Sequence, residues 1–160
     1  MNKKVFASVV ALALLTFGAL GSAYGQSDSP YCNNALIAGT YGFTIEGAKL
    51  AGPEPTGAQV GVAMTQFDGY GNLSQIDTVT INGLVASDWT HPKANGTYSV
   101  NPDCTGTFTI DFTDRRPPVA ANFVVVDNGA EIDTVVVSAG GNAGILATRS
   151  IGKRRFLFLP

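Results

Sequence analysis

Charged residues are scarce in this chain, and histidine and cysteine are scarcer still. Lys, Arg, Asp and Glu make up 14% of the 160 residues, against about 25% in an average globular protein. With one histidine and two cysteines, the chain has few of the residues that a metal site or a Cys–His catalytic pair requires. Hydrophobic residues make up 45% of the chain, which is ordinary for a folded domain and argues against general disorder. The composition therefore predicts one folded domain with no metal and no cofactor.

The N-terminal 25 residues have the pattern of an export signal. Lys3 and Lys4 precede an uncharged apolar run from Val5 to Leu20, which is shorter than the roughly 20 residues of a transmembrane anchor. Small residues on either side of Tyr24, in Ala23-Tyr24-Gly25, predict cleavage after Gly25. We therefore expect a secreted or periplasmic protein whose mature chain has no membrane span. The sequence leaves its oligomeric state open.

The mature chain is mildly acidic. The signal contains two of the ten cations and no acid, so 8 Lys and Arg remain against 12 Asp and Glu, a net charge of −4. No basic face for nucleic acid is predicted. The one basic cluster, Lys153-Arg154-Arg155, is expected to lie in a solvated tail.

The two cysteines are predicted to form a disulfide. In an oxidising compartment Cys32 and Cys104 are more readily a structural bridge than two free thiols. A nucleophilic cysteine would need an activating base, and nothing in the sequence ties His91 to either cysteine.

Alternation of apolar and polar residues predicts an all-β chain with almost no helix. A short turn is expected around Asn34 to Ala38, and Asp127-Asn128-Gly129 has the composition of a hairpin turn. The segment 82–93 is predicted to be a connection. The eight predicted strands are 41–45, 60–65, 73–81, 96–100, 107–112, 123–126, 132–137 and 143–149.

Eight consecutive antiparallel strands would leave two long unpaired edges, unless the first strand pairs with the last. Closure would give an eight-stranded antiparallel up-and-down barrel, a size at which side chains fill the interior or leave room for one small ligand. A β-sandwich is the alternative fold. The predicted organisation is a signal peptide (1–25), an N-terminal lead (26–38), the barrel (39–150) and a C-terminal tail (151–160).

Four segments carry a resemblance to a known family. They are GTYGFTIEG (39–47), FDGYGNL (67–73), NGTYSVNPDCTGTFTIDF (95–112) and GILATR (144–149). The chain resembles the bacterial allene oxide cyclase barrel-like proteins, small exported proteins that are similar in barrel to plant allene oxide cyclases and, more distantly, to lipocalins. The resemblance covers nearly all of residues 35–150 and implies an eight-stranded barrel with an apolar interior. No acid matches the cyclase site by motif, so no catalytic residue carries over.

The predicted function is a binding or structural module with an apolar interior. If the interior side chains leave a cavity, it is expected to hold a small hydrophobic ligand; if they fill it, the module is structural. The alternatives are an isomerase or cyclase acting on a hydrophobic, fatty-acid-like substrate and, less favoured because the strands are short, an outer-membrane barrel. A non-enzymatic role is preferred. Trp89 is expected to cap the barrel mouth, whether as a ligand contact or as a plug over the core. The predicted interior residues are Tyr41, Phe43, Ile45, Val60, Val62, Met64, Trp89, Phe108, Ile110, Phe112, Phe123 and Val125.

Acidic residues offer candidates for chemistry but form no motif. Asp111 is opposite in parity to Phe108, Ile110 and Phe112, so it is expected to face water. The faces of Glu46 and Asp77 cannot be assigned from the pattern. Two acids that met inside a barrel would differ in pKa and could act as an acid–base pair. The other scattered acids are Asp114, Glu131 and Asp133, and His91 is expected to be a solvated loop residue.

Overall fold

The structure, a computed structural model, describes residues 31–113, 116–139 and 144–155. The proposed signal peptide, Asp114, residues 140–142 and the apolar residues 156–160 lie outside these ranges. The described chain is almost entirely β-strand. The strands are β1 (Gly39–Ala51), β2 (Gly57–Phe67), β3 (Asn72–Ile81), β4 (Leu84–Ser87), β5 (Ala94–Val100), β6 (Thr105–Asp111), β7 (Val119–Val126), β8 (Glu131–Ala139) and β9 (Ile145–Arg154).

Eight of these strands close into an antiparallel barrel, as predicted. Each pairs with its neighbour around the wall in the order β1, β2, β3, β5, β6, β7, β8, β9. The first and last strands then pair with each other, from Tyr41 opposite Arg154 to Ala51 opposite Ile145. Closure satisfies the backbone donors and acceptors that an open sheet would leave along its edges.

The ninth strand, β4, is absent from the sequence prediction, which treated 82–93 as a connection. β4 forms a hairpin with β3, in which Ile81 lies opposite Leu84. The turn is Asn82-Gly83, with φ of 50° and 81°. Both values are in the left-handed region that the tight two-residue hairpin turn requires and that Asn-Gly favours. β4 pairs with the second half of β3 and β5 with the first half.

The two ends of the barrel differ. At one end, called here the plugged end, the 3₁₀ turn Asn34–Ile37 lies across the opening, which confirms the predicted short turn. Ile37 is completely buried there, and the Cys32–Cys104 disulfide joins the N-terminal lead to the β5–β6 turn with Cα atoms 5.0 Å apart. The opposite end, called the open end, carries the connections that follow β1, β3, β6 and β8.

Aromatic side chains fill the plugged end. Phe67 contacts Tyr41 and Tyr98 edge to face, with ring centroids 5.5 Å and 4.9 Å away. Such edge-to-face pairs add to the stabilisation that burial alone provides. The Arg154 guanidinium lies over the ring of Tyr41 at 5.3 Å and donates to its hydroxyl. Because β9 continues to Arg154, this part of the basic cluster is built into the barrel rather than into a solvated tail.

Candidate functional site

The open half of the barrel contains a cavity of about 500 Å³. Its walls come from eight of the strands, with Pro53, Pro55 and Pro117 at the rim. A typical small-molecule site has a volume of roughly 300–1,000 Å³ and a mostly apolar lining. The apolar lining within the strands consists of Phe43, Ile45, Ala63, Phe67, Leu73, Val79, Ile81, Val85, Ala86, Phe108, Ile110, Val119, Ala121, Val136 and Leu146.

The predicted interior residues fall into three groups in the structure. The first group lines the cavity and consists of Phe43, Ile45, Phe108, Ile110 and Phe112. The second, Tyr41, Phe123 and Val125, is buried inside the barrel but does not line the cavity. A ligand-binding role for either group stays a prediction.

The third group lies outside, so its predicted interior position is wrong. Val60, Val62 and Met64 are 59%, 45% and 37% exposed on the outer face of β2. The inner face of β2 is made instead by alternate residues that are small or polar, together with Phe67: Gln59, Gly61, Ala63, Thr65 and Phe67. Trp89 is 52% exposed and is not part of the cavity lining.

Size complementarity between β1 and β2 explains the reversed face. Ala63 lies opposite Phe43, and Gly61 lies opposite Ile45. Two large side chains on neighbouring strands would compete for the same interior volume, whereas a small residue beside a large one packs without overlap. The large residues of β1 therefore take the interior, and those of β2 point outward.

A chain of hydrogen bonds, called here the polar ladder, runs along the inner face of β2, β3 and β4. Thr65 Oγ1 donates to Gln75 Oε1 at 2.8 Å, and Gln75 Nε2 donates to Asp77 Oδ2 at 3.3 Å. Ser87 Oγ donates to Asp77 Oδ1 at 2.6 Å. The four residues Thr65, Gln75, Asp77 and Ser87 all line the cavity.

Among the described residues, Asp77 is the acid that lines the cavity. It is 8% exposed, and a charge buried to that extent is tolerated only with a partner and hydrogen bonds. Arg116, from the connection after β6, supplies the partner: its Nη1 lies 3.6 Å from Asp77 Oδ1. The same guanidinium lies 4.0 Å from the centre of the Phe112 ring, which is a cation–π contact. Arg116 therefore connects the polar ladder to an aromatic side chain of the cavity lining.

Further polar atoms line the wall formed by β8 and β9. The hydroxyls of Thr134 and Ser150 are hydrogen-bonded at 2.6 Å. Thr148 is 5% exposed, and its Oγ1 has no hydrogen-bond partner among the described residues. The cavity is thus apolar over most of its surface, with polar atoms grouped on two parts of the wall.

Three further acids of the described chain, Asp111, Glu46 and Glu131, do not meet inside the barrel. Asp111 is exposed, as its parity predicts. Glu46 pairs with Arg149 on the outer face at 2.9 Å, and Glu131 pairs with Lys153 at 3.3 Å. Within the described ranges, no group of three or more His, Cys, Asp or Glu side chains is arranged to hold a metal ion.

Two other candidates lie away from the cavity. Asp133 is on β8 at a position that pairs with Val124 and Ile151, and it is not part of the cavity lining. His91 lies in the loop after β4, where its Nδ1 is 3.4 Å from the Asp88 carboxylate.

Tyr41 is a buried titratable group of the plugged end. Its hydroxyl donates to the carbonyl of Gly129 and accepts from Arg154 Nε at 2.9 Å and Nη2 at 2.7 Å. Burial raises the pKa of Tyr41 above its ordinary value, and the Arg154 guanidinium partly opposes that shift. Tyr41 is not part of the cavity lining. Its hydrogen bonds to Gly129 and Arg154 instead hold the plugged end together.

Comparisons with known proteins identify no relative of this chain. Neither a scan against protein-family models nor searches of curated proteins and of solved structures gave a match. Among the described residues, no helix has the length and apolar character needed to cross a membrane.

Proposed function

We propose that this protein is an exported binding module that holds one small hydrophobic molecule inside its barrel. The observation that carries the proposal is the 500 Å³ cavity with an apolar lining at the open end. A barrel that served only as a rigid scaffold would gain stability by filling this volume, because each empty space costs packing energy. Binding of a hydrophobic molecule would recover those contacts.

Export is part of the proposal. The Cys32–Cys104 disulfide supports it, because such bonds persist in oxidising compartments. The closed barrel and its apolar cavity also support the proposed membership in the bacterial allene oxide cyclase barrel-like family, whose fold the resemblance implies.

Displacement of a fluorescent fatty-acid analogue from the mature chain tests the proposal. We expect saturable binding with one site per chain, and competition by non-fluorescent hydrophobic molecules. Absence of binding by any hydrophobic probe would overturn the proposal and leave a structural module.

Two substitutions on adjacent residues of β2 distinguish the cavity from the outer surface. Ala63→Phe adds a ring on the cavity side and is expected to weaken probe binding by at least tenfold. Val62→Phe adds bulk at an exposed outer position and is expected to leave binding unchanged. Equal effects of the two changes would mean that the probe binds elsewhere.

A second candidate is an isomerase or cyclase that acts on a hydrophobic substrate in the same cavity. Asp77 favours it, because a carboxylate inside an apolar cavity is suited to act as a general acid or base. This candidate requires turnover that Asp77→Asn abolishes while probe binding is kept. Without turnover of any hydrophobic substrate, the binding module is the better description.

A further inference from the structure

The polar ladder restricts the chemistry of the ligand, given the proposed function on which this inference rests. The two oxygens of Asp77 differ in their contacts. Oδ1 accepts from Ser87 at 2.6 Å and faces Arg116 at 3.6 Å. Oδ2 has one described hydrogen bond, to Gln75 Nε2, and at 3.3 Å it is long. Oδ2 is therefore the oxygen with acceptor capacity left for a ligand.

The residues around Asp77 leave space beside it. Ala63 lies opposite Asp77 on β2, so the neighbouring inner position carries only a methyl group. Asp77, Ala63 and Phe43 all line the cavity. A ligand in the apolar cavity can thus bring a polar group to the carboxylate.

The charges that line the cavity disfavour an ionic ligand of either sign. An anionic ligand at this depth would meet the Asp77 carboxylate, which is 8% exposed and weakly screened. Among the described residues, the charged side chains of the lining are Asp77, Arg116 and Lys49. Because Asp77 and Arg116 pair with each other, an ionic head group of either sign at this depth would lose its hydration without gaining a counter-ion of its own, which is costly. The Lys49 amine also donates to the Pro53 carbonyl, which is a contact within the rim itself.

We propose that the ligand is an uncharged hydrophobic molecule that carries a hydroxyl group, and that this hydroxyl donates a hydrogen bond to Asp77 Oδ2. The apolar body of the ligand occupies the cavity and contacts its aromatic and aliphatic lining residues. Free fatty acids and alkyl amines of the same length are excluded as preferred ligands, since their head groups would lose hydration beside a carboxylate and a guanidinium that already pair with each other.

A matched series of ten-carbon ligands tests this inference on the mature wild-type chain. The series comprises 1-decanol, its methyl ether, decanoic acid, decylamine and decane, each used at neutral pH to displace the fluorescent probe. The neutral members are kept below their aqueous solubility and the ionic members below their micelle concentration. A hydrogen bond to a charged acceptor is worth roughly 10- to 100-fold in affinity. We therefore expect the alcohol to bind about 10-fold or more tightly than the ether, which has no donor, and than the acid and the amine.

Asp77→Asn assigns the preference to the carboxylate. The variant is expected to reduce the advantage of the alcohol over the acid to threefold or less, because a neutral amide no longer repels the acid. Its affinity for decane should stay within about twofold of wild type. Asp111→Asn, at an exposed position on β6, is the matched control and should leave the whole series unchanged.

The wild-type series alone decides the inference if Asp77→Asn does not fold. Equal binding of the ether and the alcohol, or tighter binding of the acid or the amine, would overturn the hydroxyl assignment while the binding function stood. Failure of every member of the series, decane included, to displace the probe would count against the binding function itself.

Discussion

Removal of the disulfide measures how strongly the plugged end depends on its covalent link. The bond joins Cys32 to Cys104 across 72 positions, and the chain-entropy model gives about 4.4 kcal/mol for closing a loop of that length at 25 °C. This is a large share of the roughly 5–15 kcal/mol that stabilises a typical domain. The double variant Cys32→Ala/Cys104→Ala is preferred over serine because Cys32 is 2% exposed, and a buried hydroxyl without a partner would add its own cost.

Urea unfolding followed by far-UV circular dichroism gives the required free energies. We expect the double variant to lose about 4 kcal/mol, with a larger m value because its unfolded chain is less compact. Wild-type protein unfolded in a reducing agent should match the variant. A loss below about 1 kcal/mol would refute the reasoning, because it would mean that contacts of the plug, rather than loop closure, carry the stability.

Three further predictions concern packing and titration. Ile37→Ala should lower the unfolding free energy by about 2–5 kcal/mol in the urea assay, because Ile37 is completely buried, whereas the exposed control Leu50→Ala should change it by less than about 0.5 kcal/mol. Tyr41→Phe should cost about 1–3 kcal/mol at neutral pH, because the Arg154 donors and the Gly129 carbonyl lose their partner. Since burial raises the pKa of Tyr41 in the folded state, the wild type should lose stability as the pH rises above about 10, and a variant with the same alkaline loss would contradict this. Hydrogen bonds from the side chain and backbone of Asn72 hold the pKa of Asp68 below its ordinary value, so the folded state should lose stability as the pH drops below about 4. Asp68→Asn should lessen that loss, and an acid unfolding midpoint unchanged by the substitution would contradict this reasoning.

The strands and their closure could be predicted because two independent constraints agree. Alternation marks strands that are half buried, and the need to pair exposed edges favours a barrel. The one strand that was missed, β4, has only four residues, too few for alternation to be recognised. Its turn did carry a usable signal: Asn82-Gly83 follows a predicted strand in the same way as Asn128-Gly129 does.

The facing of β2 could not be predicted from hydrophobicity alone. Val60, Val62 and Met64 alternate with smaller residues in the same way as Tyr41, Phe43 and Ile45 do on β1. Only the register between the strands shows that a small residue must lie inside wherever its neighbour is large. Within a single strand the period of two identifies two faces but not which of them is buried.

The inward position of Asp77 could not be predicted from the sequence for a related reason. Asp77 is separated by an even number of positions from four other β3 residues, so it shares their face of the strand. These residues are Leu73, Gln75, Val79 and Ile81. The apolar members of that set predict an inward face, whereas the polar members predict an outward one. The contacts from Ser87 and Arg116 that make an inward Asp77 tolerable come from other segments, and no spacing in the sequence brings them together.

The sector formed by β2 and β3 reverses the usual distribution of polar and apolar side chains. Val60 and Val62 are exposed to solvent there, while Gln59 and Asp77 are buried. Exchanging the two faces would remove the cost of desolvating a carboxylate, but it would also expose Leu73 and Ile81, which are buried, and bring large β2 side chains against those of β1. Packing against β1 accounts for the facing of β2, whereas the burial of the Asp77 carboxylate in the cavity wall costs desolvation energy that its contacts must offset. The desolvation cost of Asp77 is therefore the reason to test the polar ladder as a recognition site rather than to regard it as part of the core.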